Sequence, residues 1–130
     1  MGLDLVSVIV KEYDEAIDFF VNVLGCVVED DSPSLDGDGQ PKRWVVVRPP
    51  GTGSGILLAQ ARGEEQEALI GRQFAGRVGL FLRVDDFDAS YRHMTEHGVE
   101  FLTAPRTESY GQVAVFQDLY GNKWDLLGAV

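Results

Sequence analysis

The chain has 130 residues, of which 45% are hydrophobic, and it carries a formal net charge of −10 with a sequence pI of about 4.4. That size suits one compact unit or two small modules sharing a core, and the composition is that of an ordinary globular protein rather than a disordered one. The acidity argues against a nucleic-acid partner, which requires clustered Lys and Arg, and reads instead as solubility.

No run of about 18 apolar residues is present, so no membrane span is expected. The Met-Gly-Leu-Asp-Leu start lacks the basic region and cleavage site of a signal peptide. Cys26 is the single cysteine, so no intrachain disulfide is possible and a reducing, cytoplasmic setting is expected. Cys26 precedes two valines and reads as a packed small hydrophobe rather than a nucleophile.

In chain order, residues 3–10 read as a first strand. Tyr13 to Leu24 reads as a helix, with Ala16, Phe20, Val23 and Leu24 on one face and Gly25 as its left-handed stop. Cys26 to Glu29 reads as a short strand. Asp30 to Pro41, rich in Asp, Ser, Gly and Pro, reads as an exposed loop. Arg43 to Arg48 and Ile56 to Gln60 read as strands joined by the Pro/Gly-rich connection 49–55. Residues 63–73 form a polar, helix-favouring bridge. Val78 to Val84 reads as a strand, and Asp86 to His97 as a helix burying Phe87, Tyr91 and Met94. Val99 to Leu102, Gln112 to Gln117 and Lys123 to Leu127 read as the last three strands.

This order is one unit written twice. Val10-Lys-Glu-Tyr-Asp-Glu-Ala-Ile17 opens the first helix, and Val84-Asp-Asp-Phe-Asp-Ala-Ser-Tyr91 opens the second, 74 residues later (84 − 10). An apolar strand precedes each copy and extended segments follow it. The expected fold class is therefore α+β: two tandem βαβββ modules, about 1–62 and 76–130, joined by a bridge at about 63–75. They form a curved mixed sheet with a cleft, each helix covering one face of its sheet.

A doubled βαβββ unit with these segments resembles the glyoxalase, bleomycin-resistance and extradiol dioxygenase group, the vicinal oxygen chelate superfamily. The first helix with its Leu24-Gly25 exit is similar to that family's. So is Phe116-Gln-Asp-Leu-Tyr-Gly-Asn-Lys-Trp-Asp-Leu126 to its closing turn and strand. The resemblance implies homodimers and, in metal-dependent members, two ligands from each module: one on the first strand, often His, and one on the last, usually Glu. The first-strand positions fall here on Leu5 and Gly79. The last-strand positions fall on Asp125 and on Leu58, or on Gln60 after a shift of two. Leu and Gly cannot coordinate, and one carboxylate with one amide is too few for Zn²⁺, Fe²⁺ or Mn²⁺. No metal and no other cofactor is expected.

The pleat sets what lines the face away from the helices. Leu5, Ser7 and Ile9 share one face, as do Gly79, Phe81 and Arg83. Ile56, Leu58 and Gln60 are expected to join them, with Lys123, Asp125 and Leu127. The expected binding residues are Ser7, Trp44, Gln60, Phe81, Arg83 and Asp125, polar groups on an apolar surface as in a small-molecule pocket. The other reading is that Arg83 and Asp125 merely neutralise each other at a module seam. Trp44, Phe81, Phe116 and Trp124 either border the cleft or pack in the core. The expected function is binding of a small organic molecule without a catalytic metal. The alternative is a lyase, isomerase or dioxygenase with a rebuilt site, in which Asp125 acts as base and Arg83 or Lys123 holds an anionic substrate.

Three motifs are set aside. His93-Met-Thr-Glu-His97 spells a zinc-hydrolase pattern, but both histidines fall beside the apolar stripe in the last helical turn. Gly51-Thr-Gly-Ser-Gly55 precedes a strand, whereas a phosphate loop precedes a helix. Asp36-Gly-Asp-Gly39 lacks the remaining calcium-loop ligands. No Ser, Cys and His arrangement indicates a nucleophilic triad.

Overall fold

A computed structural model describes residues 1–129. Contacts divide the chain into two compact units, Met1–Ile70 and Gly71–Val130. Module one contains β1 (Leu5–Val10), α1 (Tyr13–Asp18), β2 (Val27–Leu35), β3 (Pro41–Arg48), β4 (Gly55–Gln60) and α2 (Gly63–Glu67). Module two contains β5 (Val78–Arg83), α3 (Phe87–Glu96), β6 (Arg106–Glu108), β7 (Gly111–Gln117) and β8 (Lys123–Gly128).

The two sheets have the same topology, β1-β4-β3-β2 and β5-β8-β7-β6. In each, the first strand runs parallel to the last and the other pairs are antiparallel. The helices start alike. Glu12 accepts hydrogen bonds from the Asp14 and Glu15 amides, and Asp86, 74 residues on, accepts one from the Ala89 amide at 3.0 Å. Both carboxylates satisfy amides that the first helical turn leaves free, and both suit the positive end of the helix dipole.

One face of each sheet carries the core. In module one Val8, Val10, Val45, Val47 and Leu58 are buried with Ala16 and Phe20 of the helical segment. In module two Leu82, Ala114, Phe116, Trp124 and Leu126 are buried with Phe87 and Met94. The four strand aromatics therefore divide: Phe116 and Trp124 enter the core, while Trp44 and Phe81 remain 38% and 61% exposed.

Four expectations are corrected. The first helix is α-helical only to Asp18; Phe19–Val23 widens into a π turn, with the Leu24 amide donating to the Phe19 carbonyl at 3.2 Å. The 30–41 segment is mostly strand, and the loop shrinks to residues 36–40. Acidic β2 is held by cross-strand charge: Arg43 bonds Asp31, and Arg48 bonds Glu29. Residues 99–102 form no strand of their own, only a single bridge between Phe101 and Phe116. Thr103 Oγ1 accepts the Val115 amide, which interrupts the ladder until Arg106. Finally, β4 has the opposite parity. Ser7 pairs with Leu57 and Val10 with Gln60, so Leu57 and Ala59 share the Ser7 face, and Leu58 and Gln60 share the core face. A one-residue slip reverses every side chain, and an apolar run such as Ile56-Leu-Leu-Ala has no internal marker of parity.

Candidate functional site

In module one a cavity of about 420 Å³ opens at the β3–β4 end, a volume within the range of small-molecule sites. Leu57 and Ala59 give it an apolar floor, and Trp44 and Tyr13 give it aromatic walls. Lys42, Arg43, Gln60 and Arg62 supply polar groups, as does the Asp36–Asp38 turn. Of the expected binding residues, Trp44 and Gln60 lie here. Gln60 reaches the cavity although its strand position faces the core side, and its Nε2 donates to the Lys11 carbonyl at 3.3 Å. Ser7 stands exposed on the opposite face of the sheet from Val8 and Val10.

The cationic wall is preorganised. Arg43 reaches Asp14 at 2.9 Å and Asp31 at 2.7 Å, and its guanidinium lies 5.1 Å from the centre of the Tyr13 ring. The hydrogen bonds Arg43 donates to Asp31 and then to Asp14 hold it further into its protonated form, and the Arg43 bond holds Asp31 below the usual carboxylate range. Arg62 pairs with Asp36 at 3.4 Å and donates to the Pro41 carbonyl, tying the segment before α2 to the hairpin turn. The Gln40 and Asp38 amides donate to Asp36; these bonds, and the nearby charges of Arg62 and Lys42, keep its carboxyl low.

In module two Phe81 and Arg83 share one face, and the register adds Asp125 to it: Phe81 pairs with Asp125 and Arg83 with Leu127. Among the described residues no ion pair joins Arg83 to Asp125, so the seam neutralisation is absent. Asp125 is half-buried. Desolvation raises its pKa, and the positive charge of Arg106 opposes the rise. Arg106 itself bonds Glu108 at 2.8 Å.

The metal-ligand positions do not fit a metal. Leu5 cannot ligate, and the register makes Leu57 the module-one counterpart of Asp125. At Gly79 the space is already filled: a Cβ there would lie 2.1 Å from Phe74 Cγ. Among the described residues no three His, Cys, Asp or Glu side chains cluster as a metal site.

The other nucleophile and ligand candidates are structural. Burial pushes the Cys26 thiol up to about 12, far from a reactive thiolate. His93 and His97 are exposed, and His97 ends α3 with its Nδ1 2.8 Å from the His93 carbonyl. Buried Asp118 organises the closing turn. Its Oδ1 accepts the Tyr120, Gly121 and Asn122 amides, and its Oδ2 accepts Asn122 Nδ2 and Trp124 Nε1.

The sequence pattern did not reveal Tyr13, Arg43 and Arg62 as cavity residues. Their one signal was the density of Asp in residues 30–38, which needed cationic partners.

Comparison with known proteins agrees with this architecture. The model of the Glyoxalase/Bleomycin resistance protein/Dioxygenase superfamily matches residues 2–126. The chain belongs to this superfamily. Within it, an uncharacterised protein of Shewanella frigidimarina (strain NCIMB 400) is 50% identical over 123 residues, covering 94% of this chain and 89% of its own length. The crystal structure of TnmS3, an antibiotic binding protein from Streptomyces sp. CB03234, is similar with a TM-score of 0.78 and 29% identity, covering 100% of this chain and 97% of that one. A glyoxalase/bleomycin resistance protein from the same Streptomyces strain has a TM-score of 0.74 and 29% identity, covering 97% of this chain and 99% of its own.

Proposed function

We propose that this superfamily member binds a small, partly aromatic organic molecule of the antibiotic type, and does so without a catalytic metal. The observation that carries this reading is the likeness, along the whole chain, to an antibiotic binding protein. It is joined by the absence of ligating side chains at Leu5, Leu57 and Gly79. The module-one cavity is the seat: a planar ring stacks on Trp44 above Leu57 and Ala59, and Gln60 and Lys42 orient its polar substituents. The Arg43 and Arg62 networks keep this wall rigid, which lowers the ordering cost of binding. Ser7, Phe81, Arg83 and Asp125 are further contact candidates on their own sheets.

The test is a thermal-shift screen of aromatic and glycopeptide antibiotics against the full chain. A ligand at a hundred times its dissociation constant stabilises by about 2.7 kcal/mol. A chemically diverse library that produces no shift removes the proposal.

A second reading keeps a reaction, as lyase, isomerase or dioxygenase. Its support is Asp125, whose raised pKa is the property of a general base poised on an apolar surface. Once turnover is found, an Asp125→Ala variant with unchanged rate removes that reading. The same proposal includes a homodimer, since sheet edges such as β2 are usually covered, and a cytoplasmic setting in keeping with the lone buried Cys26. Light scattering that finds a 14.3 kDa monomer at micromolar concentration contradicts the dimer.

A further inference from the structure

Helix α3 ends on two histidines one turn apart, His93 in its last turn and His97 at its C-cap, and both are exposed. The i, i+4 spacing makes them neighbours on one side of the helix. Their ring centres lie 4.1 Å apart, with the planes inclined by 37°. Two imidazoles that hold one ion at adjacent coordination positions, each through a nitrogen about 2.0–2.1 Å away, have ring centres roughly 4–5 Å apart. The pair already stands at a chelating separation.

A second, independent feature fixes the donor atom. His97 Nδ1 lies 2.8 Å from the His93 carbonyl oxygen, to which the His97 amide also donates at 3.1 Å. A carbonyl only accepts, so Nδ1 carries the proton and the lone pair of the neutral ring sits on Nε2. Metal-bound histidines are held in the same way, by a hydrogen bond from the nitrogen that does not ligate. The bond that ends the helix therefore also orients a ligand. His93 has two ring nitrogens and need give only one.

The surroundings suit a cation. The C-terminal end of a helix carries partial negative charge. Glu96, three positions after His93, shares its side of the helix. Arg92 precedes His93 and is turned about 100° away around the helix. The chain as a whole carries a net charge of −10.

Among the described residues no third His, Cys, Asp or Glu completes the pair as a metal centre. The three protein ligands of a catalytic zinc site and the four of a structural one are both lacking. Two imidazole nitrogens, with water in the remaining positions, suit Cu²⁺ instead. It heads the affinity order of the divalent metals and accepts a tetragonal set of N and O ligands. We infer that His93 and His97 form a surface chelate site for Cu²⁺ at the end of α3. No strand residue takes part, so the site is separate from Leu5, Leu57, Gly79 and Asp125 and independent of ligand binding in module one.

The experiment is calorimetric titration of the chelator-treated full chain with Cu²⁺ and Zn²⁺ in a non-coordinating buffer near neutral pH. One Cu²⁺ per chain is expected, bound at least about tenfold more tightly than Zn²⁺. His93→Gln and His97→Gln each change one exposed side chain and are expected to fold normally, which circular dichroism checks. Each is expected to lose at least about tenfold in Cu²⁺ affinity, because the second nitrogen of a chelate acts at a high effective concentration. Histidines acting independently would give two weak sites, of which each substitution removes one. Absence of saturable Cu²⁺ binding, two equal sites, a preference over Zn²⁺ below about tenfold, or a loss below about tenfold in either single variant overturns the assignment.

Discussion

Gly79→Ala is a small substitution with a large expected effect. Gly79 does not have a positive φ, so alanine introduces no backbone strain there. The obstacle is steric. The new methyl would lie 2.1 Å from Phe74 Cγ and 2.3 Å from Phe74 Cδ2. Cγ is the root of the ring, so a ring flip does not relieve the contact, and the side chain must change rotamer or β5 must shift. Overpacking of this kind costs about 1–3 kcal/mol. Phe74→Ala alone costs stability through lost packing, but it also empties the space that the Gly79→Ala methyl requires. The two substitutions are therefore coupled: the double variant is more stable than the sum of the singles predicts, by about 1–3 kcal/mol. Urea unfolding of the four proteins measures this term. Additivity within about 0.5 kcal/mol would refute the claim that Phe74 fills the position a first-strand ligand would need.

Asp118→Ala removes the acceptor of five hydrogen bonds and strands Trp124 Nε1 and Asn122 Nδ2. A loss of at least about 3 kcal/mol in urea unfolding is expected, and a loss under about 1 kcal/mol contradicts the network's role. Asp125→Asn is expected to stabilise at neutral pH. A carboxyl whose folded pKa is raised above 3.8 costs nothing below its unfolded value, and the cost grows as pH rises through the folded one. The gain from Asp125→Asn therefore disappears in acid, and a gain independent of pH argues against desolvation as its cause. Cys26, with its thiol pushed up to about 12, is expected to resist Ellman's reagent in the native state and to react at once in denaturant; rapid native labelling would show an accessible thiolate.

The repeat was the legible part of the fold. Glu12 and Asp86 occupy the same place in two copies of one unit, and the sheets that follow have the same strand order. Helix faces were legible because a 3.6-residue period marks them: Ala16 and Phe20, then Phe87 and Met94, are buried. Strand parity was legible only where polar residues alternate. Phe81 and Arg83 share a face by their spacing, and the register adds Asp125 to it, whereas Ile56-Leu-Leu-Ala offers no polar marker of which residues face the core. The strand character of Asp30–Leu35 was hidden because acidic residues disfavour strands in isolation, and Arg43 and Arg48 supply compensating charge only after the hairpin closes. The module-one cavity depended on that hairpin. Trp44 was identifiable as an aromatic candidate, but its neighbours Tyr13 and Arg62 come from sequence positions that no local pattern connects.

The central claim is metal-independent binding beside Trp44. The chain has two tryptophans, of which Trp124 is buried in the core of module two and Trp44 is exposed at the cavity. Fluorescence titration of chelator-treated protein with an aromatic antibiotic taken from the thermal-shift screen reports on that site directly. The expected result is saturable quenching with the same dissociation constant before and after chelator treatment. It should weaken by about tenfold or more in Trp44→Ala when followed by calorimetry, about 1.4 kcal/mol. Binding that appears only after Zn²⁺, Fe²⁺ or Mn²⁺ is restored, or that is indifferent to Trp44→Ala, would contradict it.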